Sequence, residues 1–121
     1  MVLYCDVGDA EWQWKPFWSD KCGSNFSLTG HCGVLLQDLL ILLAGIINYE
    51  DNQPSRPNFD IFSLNIKTME LNRVKIRGAR LSSRRMMAAC TDGIRITAIG
   101  GMDENYATLG DICVFSLSNF L

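Results

Sequence analysis

Apolar residues come along this chain in short runs, closed off by Gly, Asp or Asn, with no convincing stripe at 3.6-residue spacing. Runs 31–36 and 39–45 flank Gln37-Asp38, and runs 86–91 and 94–100 flank Asp92-Gly93. Asp-Gly between two apolar runs is the strongest short hairpin signal, because glycine accepts the positive φ of a two-residue turn. Segment 35–47 is apolar enough for a buried helix, but its central Gln-Asp turn and flanking glycines favour a hairpin. A third group of segments (2–7, 61–66 and 112–117) is apolar and ends in a small polar residue followed by an aliphatic one. Asp60 and Asp111 stand before the last two. These patterns predict an all-β chain.

The spacing also predicts a repeat. Gly45 and Gly100 are 55 residues apart, and Asp60 and Asp111 are 51 apart. The difference falls in one loop, which is fourteen residues at 46–59 and ten at 101–110. A period of about 50 residues with four strands per unit belongs to propeller-type repeats rather than helical solenoids. With strands lettered in order within a unit, strand A is 31–36 and 86–91, and strand B is 39–45 and 94–100. Strand C is 2–7, 60–66 and 111–117, and strand D is 11–17 and 71–76. The order is then C-D, A-B-C-D, A-B-C. A β-sandwich with accidental self-similarity is the competing all-β solution.

Composition narrows the function classes. The 121 residues carry a formal charge of −2, with 48% hydrophobic and 20% charged residues. That excludes wholesale disorder and gives none of the basic footprint that nucleic-acid binding requires. Cys5, Cys22, Cys32, Cys90 and Cys113 are odd in number and form no CxxC pair, which reads as reduced thiols and a cytoplasmic location. Segment 33–47 is fifteen residues and contains Gln37 and Asp38, short of the about twenty apolar residues of a spanning helix. No basic stretch precedes Asp6 in the manner of a secretory signal. No membrane partner is expected.

The second unit, from Arg84-Arg85 through Gly100-Gly101 to Asp111-Ile-Cys-Val-Phe115, resembles a kelch repeat. That signature has an arginine and a histidine before an apolar strand, a double glycine after the second strand, and an aspartate-led third strand with an aromatic. The first unit supplies His31, Gly45 and Asp60, and Trp12 or Trp14 supplies the tryptophan usual in the fourth strand. His31 aligns with Met86 in this reading. The resemblance implies a partial kelch-type β-propeller, with the end of a blade at 1–17, a full four-stranded blade at 31–76 and the start of a third blade at 86–121. It also implies a protein-interaction module rather than an enzyme, with blade edges through which the chain could self-associate.

The A–B turns are two residues each, so function is expected on the opposite end, where the long B–C and D–A loops gather. Arg73, Lys75, Arg77, Arg80, Arg84 and Arg85 lie within thirteen residues with no acid among them. Arginine forks suit carboxylates and phosphates, so Arg80, Arg84 and Arg85, with Tyr49, Asn105 and Tyr106 beside them, are the candidate site for an acidic or phosphorylated peptide. A solvated loop whose arginines pair with neighbouring acids is the plainer reading.

No catalytic residue, metal site or cofactor is expected. His31 is the one histidine, and the copper-radical oxidases that share the propeller scaffold need two histidines and paired tyrosines. Gly23-Ser24-Asn25 is not a nucleophile elbow, and Gly100-Gly101 is not a phosphate loop. The alternative is a fragment of a propeller-scaffold enzyme whose catalytic residues lie in other blades.

Overall fold

The computed structural model describes residues 2–4, 8, 11–17, 27–48, 56–57, 60–75, 77–78 and 81–116. Every regular element among them is a β-strand, and every pairing is antiparallel. No helix among these residues is long and apolar enough to cross a membrane.

Strand β1 (Val2–Tyr4) pairs with β2 (Gln13–Lys15), and β3 (Ser27–Thr29) follows. Then come β4 (Cys32–Leu36), β5 (Leu39–Leu43), β6 (Ile46–Asn48), β7 (Arg56–Pro57), β8 (Ile61–Asn65) and β9 (Leu71–Val74). The chain continues through β10 (Ala88–Thr91), β11 (Arg95–Ile99) and β12 (Ile112–Ser116). The first sheet is a meander, β4-β5-β8-β9, and the second is β10-β11-β12. These sheets and the β1-β2 hairpin are the strands that the hydrophobic runs predict. A further small sheet, β3-β6-β7, forms within the long loops of the first unit, where no strand is expected from the pattern.

Through strands A and B the two units match at a register one residue away from the sequence-based one. Positive φ occurs at Gly30 (67°), Gln37 (53°), Ala44 (60°) and Gly45 (93°), and again at Met86 (61°), Gly93 (91°), Gly100 (74°) and Gly101 (105°). Each member of the second set lies 56 residues after its counterpart, rather than 55. The partner of His31 is therefore Met87, not Met86, and the double glycine Gly100-Gly101 corresponds to Ala44-Gly45. The tight corner is the same in both units. A Cβ on Gly45 would stand 2.8 Å from the Thr29 carbonyl oxygen, and one on Gly101 would stand 2.8 Å from that of Arg85. The β3-β6-β7 pairing Thr29–Ile46–Pro57 recurs as the bridges Arg85–Met102–Thr108. From there on the offset is 51, with β8 matching β12, so the length difference sits in the loop between strands B and C.

Burial follows the alternation of the strands. On one face of the first sheet, Val34, Leu36, Ile41, Leu43 and Ile61 join Met87, Ile96, Ala98 and Phe115 of the second unit in a single core. The two sheets therefore pack face to face, with β4 and β10 side by side. The other face of the first sheet buries Phe62, Leu64 and Leu71 together with Ile47, and Phe17 from the chain's first segment packs against them. The first unit thus uses one face on the segment before it and the other on the segment after, and the second unit packs one face on the first.

Candidate functional site

The loops joining strands D–A and B–C meet where the two units abut, and backbone hydrogen bonds tie the units together there. The Gly45 N–H donates to the Arg84 carbonyl at 2.9 Å, and the Met86 N–H donates to the Gly30 carbonyl at 2.8 Å. Above this seam lies an open groove of about 340 Å³, lined by Thr29, Gly30, Ile46, Arg85, Met86, Met102 and Tyr106. Its walls come from the same two loops of each unit, and they are mostly apolar.

Arg85 and Tyr106 stand together on one side of the groove. The Arg85 guanidinium carbon lies 4.6 Å from the centroid of the Tyr106 ring. Tyr106 is presented by a self-bonded loop. The Asp103 carboxylate accepts the backbone N–H groups of Asn105 (2.9 Å) and Ala107 (3.0 Å), and the Asp103 carbonyl accepts that of Tyr106 (3.1 Å). This Asx-type closure holds Tyr106 at φ 62° with 72% of the residue exposed. Stacking occupies the face of the guanidinium and leaves its N–H edge unused, since Arg85 makes no side-chain hydrogen bond or ion pair to a described residue. Such an edge suits a carboxylate fork.

The other sequence-predicted residues are distributed differently. Arg84 does not belong to the exposed set. Its side chain is completely buried, and its N–H groups donate to the Ser82 carbonyl (3.1 Å), the Ser82 hydroxyl (2.9 Å), the Gly100 carbonyl (3.2 Å) and the Asp111 carboxylate (2.8 Å). It is a strut between the D–A loop, the glycine corner and the start of β12. A guanidinium can leave water here because four of its five N–H donors find carbonyl, hydroxyl and carboxylate partners in one small space. Arg73 lies 3.6 Å from Asp60 and over the Phe62 ring, while Lys75 and Arg77 are exposed. The basic run is therefore not one patch. Asn105 is exposed beside Tyr106, whereas Arg80 and Tyr49 lie outside the described residues. The groove's apolar members, Ile46, Met86 and Met102, carry no signal in the sequence that separates them from core residues.

Among the described residues, Cys32, Cys90 and Cys113 are free thiols. Burial pushes the thiols of Cys32 and Cys113 up from their ordinary range, and Cys113 adds to the effect at Cys32. Cys90 is exposed, and Cys5 and Cys22 lie outside the described residues. Among the described residues, no group of three or more His, Cys, Asp or Glu is arranged to hold a metal ion.

No protein-family model matches the chain, and a search of the curated proteins returns no match.

Proposed function

We propose that this chain is a protein-interaction module of kelch-propeller type, which docks a peptide on the groove between the loops of its two units. Support for the propeller reading comes from two antiparallel meanders that share their A–B hairpin and C strand at offsets of 56 and 51 residues, packed face to face with their first strands adjacent. The observation that carries the docking reading is the Arg85–Tyr106 pair beside an apolar groove. An acidic side chain takes the guanidinium edge, and an adjacent aliphatic side chain takes the space between Ile46, Met86 and Met102.

The test is binding of fluorescein-labelled peptides that place Asp or Glu next to Leu or Ile, read by polarisation against the same peptides with Asn or Gln. The acidic set binds, and Arg85→Glu removes that binding while Lys75→Glu leaves it within about twofold. Equal binding of the acidic and amide sets, or no change in Arg85→Glu, overturns the reading.

A further inference from the structure

The second sheet leaves bare the face that the first sheet buries. Two cross-strand rows make the comparison. Row Cys32–Leu43–Ile61 of the first sheet corresponds to Ala88–Ile99–Ile112 of the second, and row Val34–Ile41–Ser63 corresponds to Cys90–Thr97–Val114. Leu43 and Ile61 are 0% and 1% exposed, whereas Ile99 and Ile112 are 48% and 65% exposed and Val114 is 56%. In the first sheet these rows are covered by Ile96, Ala98 and Phe115 of the following unit. An apolar three-stranded face open to water marks an association surface.

A surface of the opposite kind stands at the other end of the chain. Trp12 and Trp14 alternate along one side of the β2 segment and are 65% and 62% exposed. Trp14 lies opposite Leu3 in register, as Arg73 lies opposite Phe62 in the first sheet. With 2–4 aligned on 61–63, the tryptophans fall on the face that carries Phe62 and Leu71, which is the face the first unit turns toward the segment before it.

We propose that the chain associates head to tail with a second copy. The Ile99, Ile112 and Val114 face of one molecule packs on the Trp12 and Trp14 face of the next. The contact continues between molecules the sheet-on-sheet interface that the two units make within one. The Arg95–Ser116 row at the hairpin end gives this face a polar rim. Because the two surfaces differ, the interface is heterologous, and association extends to rings or chains rather than stopping at a symmetric pair.

Sedimentation of the full chain over a range of concentrations tests this, with two double variants, Ile112→Lys/Val114→Lys and Trp12→Lys/Trp14→Lys. Wild type gains mass with concentration, and each variant alone stays at monomer mass. An equimolar mixture of the two variants forms a dimer and nothing larger, since each supplies the surface that the other lacks. A wild type that is monomeric throughout, a variant that still associates, or a mixture that remains monomeric overturns the proposal. A readout without variants guards against misfolding. Alkylation of Cys90, which lies on the buried-to-be face, slows at least about tenfold as wild-type concentration rises. A constant rate also overturns the proposal.

Discussion

The Arg84 guanidinium donates to the Asp111 carboxylate at 2.8 Å from a fully buried position, while the carboxylate itself is about half exposed (49%). The pair corresponds to Leu28 and Asp60 in the first unit, where the arginine is replaced and Asp60 turns instead to Arg73. The polar strut is therefore specific to the second unit, and it joins three segments that are distant in sequence.

Arg84→Ala is expected to cost about 2–4 kcal/mol of unfolding free energy, since it removes four hydrogen bonds and opens a cavity beside Gly100. Arg84→Lys restores little of this loss, because an ammonium cannot reach the Ser82, Gly100 and Asp111 acceptors together. Asp111→Asn costs less, about 1 kcal/mol, because solvent already screens the carboxylate. Urea titration of the three variants checks the order. A neutral Arg84→Ala would show that the strut contributes nothing.

The two glycine corners are expected to respond alike. Gly45→Ala and Gly101→Ala each combine positive φ with a Cβ placed 2.8 Å from a carbonyl oxygen, so each destabilises by about 2 kcal/mol or more. Gly93→Ala has the positive φ (91°) and open space around it, so the backbone term of about 1 kcal/mol acts alone. Equal losses at all three positions would mean that the close approach does not matter.

Met86 gives a separation of stability from binding. It holds φ 61° where the first unit has Gly30, so Met86→Gly relieves up to about 1 kcal/mol of backbone strain. The same change removes a side chain that lines the groove. Tm is expected to hold or rise while peptide affinity falls several-fold. Calorimetry and polarisation on one preparation read both effects.

The partly buried thiols predict an alkaline limit. Burial holds Cys32 and Cys113 above their ordinary range in the folded state, so the unfolded chain ionises first as pH rises. Their contribution is complete below the ordinary thiol pKa of about 8.5 and is lost as pH climbs through the raised folded values. Tm falls accordingly between neutral pH and about pH 10, and the fall is smaller in Cys32→Ala/Cys113→Ala. An identical fall in the double variant would assign it to other groups. At neutral pH, a thiol reagent modifies exposed Cys90 ahead of both.

The alternation of apolar and polar residues, with Asp92-Gly93 and Gln37-Asp38 as turns, was enough to place the strands of the first and second sheets and the β1-β2 hairpin. Those signals are local, since a strand's period and a turn's positive φ are written within a few residues. Tertiary structure decided what depends on distant partners. The alignment of Met87 rather than Met86 with His31 follows from which backbone atoms each glycine corner approaches. The β3-β6-β7 sheet forms because the loops before and after the β4-β5 hairpin are brought together at one end of the first unit. Arg84 and Arg85 are identical neighbours in the sequence. One is buried and one stacks on Tyr106 because adjacent residues of an extended segment point to opposite sides, and only the packed fold determines which side holds Asp111 and Gly100 and which holds the groove.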